Sequence, residues 1–187
     1  LVYRDFLTVG LLLDGLKIRD RDSDADGRLT DNWIYVQEPD VRVGRIQIFN
    51  NWSPALVSDP DLTWVGLEYF CNESDDIWRL PDEELKTLGA AELEKMGFIH
   101  GGAVRGGTVI RMPKTYPAYF GTYHRFQEIR DYVDPIENLF LIGRNGMHRY
   151  NNQDHSMLTA MTVVDNLMAG RRDKRNVWEV NEEQEYH

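Results

Sequence analysis

The segment 143–154 constrains the fold and chemistry of this chain more than any other part of the sequence. It reads Gly-Arg-Asn-Gly-Met-His-Arg-Tyr-Asn-Asn-Gln-Asp and lies between an apolar run at 139–142 and an amphipathic pattern at 156–168. We predict a strand, a glycine turn and a helix in that order. The first amides of a helix lack intrahelical partners, so such a connection forms a cradle for an anion or a cofactor. A plain connection would not need the arginines, the tyrosine and the side-chain amides of this segment.

The composition is that of an ordinary globular domain, or of one large piece of a domain. Of the 187 residues, 42% are hydrophobic and 11% are aromatic, which is enough to build a core. The net charge of -10 argues against a nucleic-acid-binding surface. Cys71 is the only cysteine, so an internal disulfide is excluded, and we expect a cytoplasmic location. The longest apolar run, 7–13, is far shorter than the roughly 20 residues that span a bilayer, so we expect no membrane partner.

The hydrophobic periodicity predicts an α+β fold with a mainly antiparallel sheet and packed helices. Strands are predicted at 6–13, 32–37, 41–49 and 62–70, with a further strand-like run at 108–112. Helices are predicted at 81–96, 119–133 and 156–168. The sequence therefore favours a sheet in the first part of the chain and a strand-turn-helix in the last part.

The segment 143–154 also resembles a known family. Its pattern Gly-Arg-x-Gly-x-x-Arg-Tyr-x-x-x-Asp is similar to the C-terminal FAD-contacting signature of UDP-galactopyranose mutases, within the amine-oxidase-like flavoenzyme superfamily. Two upstream matches occur in the expected order: Arg45 in the strand 41–49 and the pair Tyr116-Pro117. The stretch 72–114 is longer than in the mutases, which leaves the substrate open.

The resemblance implies two sets of site residues. The expected FAD-binding residues are Gly143, Arg144, Asn152, Gln153 and Asp154. The expected substrate-binding residues are Arg45, Tyr116 and Tyr150, and no residue is assigned a catalytic role.

Without the family resemblance, some of these residue types are also compatible with purely structural roles. The planar guanidinium of Arg144 suits the pyrophosphate or ribityl part of FAD. Asn152 stands where the mutases usually carry an aspartate, and Asp154 is an alternative helix cap. Arg45 would otherwise be a solvated strand residue, and Tyr116 would be part of an ordinary turn.

No Gly-x-Gly-x-x-Gly connects a strand to a helix in this sequence. Since the family holds the adenosine half of FAD on an N-terminal dinucleotide-binding domain, we interpret the chain as the C-terminal part of a longer flavoprotein. Residues 1–118 are then a substrate-binding sheet domain with an inserted helix, 119–170 a C-terminal FAD-closing segment, and 171–187 a polar tail. We expect the missing domain of the same chain to be the main partner and FAD to bind the full-length protein. We also expect this fragment to be inactive alone, with an exposed face that allows homo-oligomers.

Three functions remain open at this stage. The first is flavin chemistry on a sugar-nucleotide or related substrate, as in the mutases, which are isomerases. The second is an oxidoreductase similar to amine oxidases or protoporphyrinogen oxidases. The third is a non-catalytic module that binds a sugar or a protein.

We predict no metal site. The run Asp-Ser-Asp-Ala-Asp-Gly at 22–27 resembles the first half of a calcium-binding EF-hand loop, but the twelfth position is Trp33 instead of a glutamate. We therefore favour an acidic hairpin tip. His148 and His155 flank the motif without an acid at metal-binding spacing, although a histidine beside a flavin is a candidate proton donor.

Overall fold

The computed structural model describes residues 1–19 and 28–180, which divide into two units by their internal contacts. The sheet unit is Arg4–Lys114, and the motif unit consists of Leu1–Tyr3 together with Thr115–His187. The EF-hand-like run at 22–27 and the end of the tail at 181–187 lie outside the described residues. The roles predicted for 1–118, 119–170 and 171–187 stay predictions.

The strands and helices confirm an α+β fold with a mainly antiparallel sheet. The strands are β1 Tyr3–Leu13, β2 Trp33–Tyr35, β3 Arg45–Ile48, β4 Thr63–Cys71 and β5 Val104–Pro117. The α-helices are α1 Phe49–Trp52, α2 Asp76–Arg79, α3 Asp82–Lys95, α4 Phe126–Val133, α5 Gly143–Gly146, α6 Gln153–Met168 and α7 Arg175–Trp178. Short 3₁₀ turns occupy Pro54–Leu56 and Gly121–Arg125. The strand order is β2-β3-β4-β1-β5, and the β2/β3, β3/β4 and β4/β1 pairs are antiparallel.

The core of the sheet unit lies on one face of the sheet. Alternate residues of β1 are fully buried there, as period-two alternation requires. These residues are Leu7, Val9, Leu11 and Leu13. Helix α3 contributes Leu85 and Leu93 to the same core, and a Cβ at Gly89 would lie 2.6 Å from Leu67 Cδ1. The missing side chain at this glycine lets the helix approach the sheet closely.

The predicted helix at 81–96 is confirmed almost residue for residue. Pro81 is its N-cap residue, and three acidic residues lie in its first turn. Their negative charges interact favourably with the positive end of the helix dipole. Gly97 then adopts a left-handed φ of 81°, which ends the helix. Among the described residues, no helix is both long and apolar enough to cross a bilayer.

The motif unit differs from the sequence prediction in three places. The predicted helix at 119–133 is a 3₁₀ turn followed by α4. Gly121, the first residue of that turn, has a positive φ of 63°, so a regular helix does not extend from 119 through this position. The predicted strand at 139–142 is coil, since no described strand pairs with it. The glycine turn is the single helical turn α5.

Candidate functional site

The N-terminus of α6 is open. Asn152 occupies the N-cap position in an extended conformation, and no side chain caps the helix there. The first intrahelical bond runs from Ser156 N to Asn152 O at 3.1 Å. The amides of the first turn, Gln153 to His155, therefore point out of the helix at its positive end. The alternative role of Asp154 as the cap is wrong: it lies inside the first turn.

Gly143 is the first residue of α5 and is hydrogen-bonded to α6. Its φ of 69° lies in the left-handed region that favours glycine. Its amide donates to Thr159 Oγ1 at 3.1 Å, and this fully buried hydroxyl donates in turn to Ser156 O at 2.8 Å. Since the Gly143 amide already has an acceptor, the structure favours a positioning role for Gly143 at the start of the motif.

Arg144 lies in a stack with two tyrosines. Its guanidinium carbon is 4.5 Å from the ring centroid of Tyr150 and 5.5 Å from that of Tyr116, and the two rings are 5.7 Å apart at 15°. We call these three residues the tyrosine–arginine stack. The structure thus brings one predicted cofactor residue together with two predicted substrate residues.

The guanidinium is fixed by the backbone of the motif. Arg144 Nε and Nη2 both donate to Asn151 O, at 3.0 and 2.7 Å. Asn151 is itself buried, and its Oδ1 accepts a hydrogen bond from Ser156 Oγ at 2.9 Å. Within the described residues, Arg144 Nη1 donates no hydrogen bond. The stack is therefore rigid, and one edge of the guanidinium faces away from its internal acceptor.

A set of aromatic side chains holds His148 just before the stack. His148 has a left-handed φ of 49°, its Nδ1 is hydrogen-bonded to the hydroxyl of Tyr3, and its carbonyl accepts from Tyr123 at 2.9 Å. The next-but-one amide, Tyr150 N, donates to the hydroxyl of Tyr119 at 2.6 Å. Burial lowers the pKa of His148 and raises those of Tyr3 and Tyr123. These aromatic residues fix the backbone that carries Tyr150.

Sequence reasoning did not assign these tyrosines to the site. Tyr119 and Tyr123 fall within the predicted helix at 119–133, where the apolar periodicity of the sequence predicts core packing. The bond between Tyr3 and His148 joins residues 145 positions apart, and local patterns carry no signal for it.

His155 contributes an unpaired atom at the start of α6. Its Nδ1 is buried and makes no hydrogen bond, although Asp154 Oδ1 is 3.3 Å away. Among the described residues, no group of three or more His, Cys, Asp or Glu side chains is arranged to hold a metal ion.

Arg45 lies in the sheet unit, where it is buried and paired. Its Nε donates to Glu68 Oε2 at 2.5 Å, and Glu68 also accepts from the side chains of Gln47 and Trp33. Arg45 is only 8% exposed, so it is not a solvated strand residue. A substrate role for Arg45 stays a prediction. Because Arg45 is paired with Glu68, an anionic ligand would have to compete with this carboxylate for the guanidinium.

Comparison with solved structures identifies the fold. The chain is similar to a reduced UDP-galactopyranose mutase, with a TM-score of 0.72 and 18% identity over 96% of this chain and 36% of the mutase. The chain shares the fold of part of that enzyme. It is also similar to a structure provisionally assigned as a protoporphyrinogen oxidase from Exiguobacterium sp. 255-15, with a TM-score of 0.61 and 16% identity over 91% of this chain and 36% of the other. The resemblance found in the sequence is thereby confirmed at the level of the fold.

The sequence comparisons are less informative. No protein-family profile matches the chain, and no curated protein sequence matches it. The chain spans only about a third of the length of the two solved structures, 36% in each case.

Proposed function

We propose that this chain closes the flavin site of an FAD-dependent enzyme and carries its substrate-binding sheet. The observation that carries the proposal is the uncapped start of α6 beside the tyrosine–arginine stack, in a chain with the fold of part of a UDP-galactopyranose mutase. Open helix amides and a positive helix end stabilise negative charge, and within the described residues these amides donate to no acceptor.

The residues at this helix start fit a flavin cofactor. The buried, unpaired Nδ1 of His155 and the open amides of Gln153 and Asp154 offer hydrogen-bonding groups, as does the side-chain amide of Asn152. Arg144 Nη1 adds a charged donor. When bound, FAD would supply two-electron chemistry, or a nucleophilic nitrogen in its reduced state. Gly143 would contribute by positioning α5 against α6.

The protein residues would act by binding and orienting. Arg144 is held by Asn151, so its remaining donor edge has a fixed direction. Tyr150 and Tyr116 keep the guanidinium plane in place and present phenol groups, which suit phosphate or sugar oxygens. A stack fixed in this way orients a ligand without paying for the ordering of the side chains at the moment of binding.

An N-terminal dinucleotide-binding domain of the same chain would be the partner. Helix α6 supports this proposal because it carries a set of apolar side chains that are about half exposed or more. They are Met157, Leu158, Met161, Val164, Leu167 and Met168. A helix with so much exposed apolar surface favours coverage by another domain, or by a second copy of the chain as a homo-oligomer. The match to 36% of the mutase is consistent with further domains.

Two alternative reactions are proposed. The mutase-like reading, flavin chemistry on a sugar-nucleotide, is supported by the higher structural similarity. An oxidoreductase similar to amine oxidases or protoporphyrinogen oxidases is supported by the second structure and by Asn152, which replaces the usual aspartate of the mutase signature.

The test combines cofactor content with ligand binding. The purified full-length protein should contain FAD, whereas the 187-residue chain should bind it weakly or not at all, because the adenosine half has no site there. Titration of the full-length protein with UDP and with a neutral amine then separates the two reactions. UDP binding supports the mutase-like reading, and flavin reduction by the amine without UDP binding supports the oxidoreductase. A full-length protein that stays free of FAD would leave only a non-catalytic sugar- or protein-binding module.

A further inference from the structure

One face of the sheet unit is built from aromatic rings around a neutralised charge. The strand registers place Tyr35 opposite Arg45 and Arg45 opposite Glu68, so these three side chains share one row on one face. Trp33 and Gln47 pair in the adjacent row on the same face. This face is opposite to the one that carries the core residues Ile46 and Leu67, because successive residues of a strand alternate in direction.

The guanidinium of Arg45 lies beneath three rings. Its carbon is 4.9 Å from the ring centroid of Trp33, 5.1 Å from that of Phe70 and 5.7 Å from that of Tyr35. The rings are substantially exposed, with Tyr35 at 68%. Arg45 thus supports the rings from the sheet side, while their outer surfaces face away from the sheet. We call Trp33, Tyr35, Phe70 and Trp52, which packs against Trp33, the ring face.

Glu68 removes the net charge from the ring face. It is 1% exposed, and its carboxylate accepts from Arg45 Nε, Gln47 Nε2 and Trp33 Nε1. Within the part of the chain that the structure describes, the positive charge of Arg45 is therefore balanced at 2.5 Å by the negative charge of Glu68. A phosphate would have to compete with a carboxylate that is already desolvated and hydrogen-bonded, and such competition is unfavourable.

The geometry of the rings favours a compact saturated ring over a flat aromatic ligand. Trp33 and Trp52 are perpendicular, with centroids 5.4 Å apart, so they form no single flat platform. Aromatic faces are electron-rich and attract polarised C–H groups as well as cations. The hydroxyl of Tyr35 and the side-chain oxygen of Gln47 form no hydrogen bond within the described residues, and both can bind hydroxyl groups.

We propose that Glu68 determines the specificity of the ring face: by neutralising Arg45, it makes this surface a binding site for an uncharged sugar ring and excludes phosphate. The proposal deepens the proposed function, on which it rests for the assignment of the sheet unit to the substrate. It assigns to Arg45 a role in holding the rings in place, and it leaves any phosphate of the substrate to other parts of the protein.

The test is a set of titrations on the full-length protein with methyl glucoside, methyl galactoside and inorganic pyrophosphate. The parent should bind at least one of the glycosides, and Tyr35→Ala should weaken that binding by about tenfold, as expected when one stacking ring is lost. Tyr132→Ala removes an exposed tyrosine of the motif unit and serves as the matched control, with unchanged affinity. Glycoside binding that is absent, or that is indifferent to Tyr35→Ala, would overturn the proposal.

The specificity claim is tested by Glu68→Gln. Without the charge of Glu68, the guanidinium of Arg45 should give pyrophosphate binding beyond that of the parent, seen as a rise in Tm on adding pyrophosphate. The double variant Arg45→Met with Glu68→Met removes both charges, while the methionine side chains can still fill the space beneath the rings. It should therefore keep glycoside binding and show no such gain, and it serves if Glu68→Gln does not fold. If Arg45→Met alone reduces the pyrophosphate binding of the parent, Arg45 is a phosphate anchor and the proposal is wrong. FAD content, measured on the same preparations, reports on the proposed function separately.

Discussion

Replacing Arg144 with alanine should loosen the motif even before any cofactor is considered. The substitution removes a charge-assisted hydrogen-bonding interaction with Asn151 O, worth about 1.5–3 kcal/mol. It also removes two cation–π contacts, with Tyr150 and Tyr116, each worth about 0.5–1 kcal/mol where partly exposed. Together these contacts predict a decrease of about 2.5–5 kcal/mol in the free energy of unfolding.

Two assays are needed, both on the full-length protein. Urea denaturation measures the free energy of unfolding, and gel filtration of separate native samples measures the FAD that is retained. Arg144→Lys should recover less than half of the loss, because an ammonium group lacks the planar fork that reaches Asn151 and stacks on the tyrosines. Arg172→Ala is the matched control: its ion pair with Glu137 is largely exposed, so its removal should change stability by less than about 0.5 kcal/mol. If Arg144→Ala and Arg172→Ala unfold at the same urea concentration and retain the same FAD, the reasoning about the stack is refuted.

Three further predictions follow from individual contacts. Tyr69→Phe removes the bond at 2.9 Å to the buried carboxylate of Glu92 and should cost about 1.5–3 kcal/mol in urea denaturation; a loss below 0.5 kcal/mol would show that water replaces the hydroxyl. Gly107→Ala should lower Tm markedly, since its Cβ would lie 2.6 Å from the Gly10 carbonyl oxygen, and an unchanged Tm would contradict that close approach. Burial lowers the pKa of His148, so the folded protein should lose stability as the pH falls below about 6.5, where the unfolded chain takes up the proton more readily. His148→Asn, which tolerates the left-handed backbone, should abolish this part of the pH dependence of Tm.

The sheet and α3 could be predicted because their signals are local. Alternating apolar residues defined β1 and β4 to within a few residues, and Pro81 and Gly97 marked the ends of α3. The predicted start of α6 was less accurate: the helix begins at Gln153, three residues before the predicted start at 156. Because the residues of the first turn are polar, they do not contribute to the apolar periodicity, and the helix start predicted from that periodicity was too late.

The prediction of a strand at 139–142 was wrong for a different reason. An apolar run of this length predicts a strand only if a neighbouring strand supplies hydrogen-bond partners, and the sequence does not reveal whether one is present. In the described structure the sheet consists of β1 to β5, and the run stays coil.

The contacts of the candidate site also depended on tertiary structure. The motif resemblance singled out Arg144 and Tyr150, but not that Tyr116 completes a stack with them. Arg45 and Glu68 are 23 residues apart and meet only through the register of β3 and β4. A strand pattern shows which face a residue occupies, but it does not show which residue lies opposite, so the neutralisation of Arg45 could not be predicted.

The most direct test of the flavin-closing role is amide hydrogen exchange at the start of α6 in the full-length protein, with and without FAD. The amides of Gln153, Asp154 and His155 lack intrahelical acceptors, so they should exchange rapidly in the FAD-free protein and more slowly once FAD is bound. The amide of Gly143, already bonded to Thr159, should change little and serves as an internal control. Bound FAD that leaves the three α6 amides as fast as before would contradict the account, because the cofactor would then lie elsewhere.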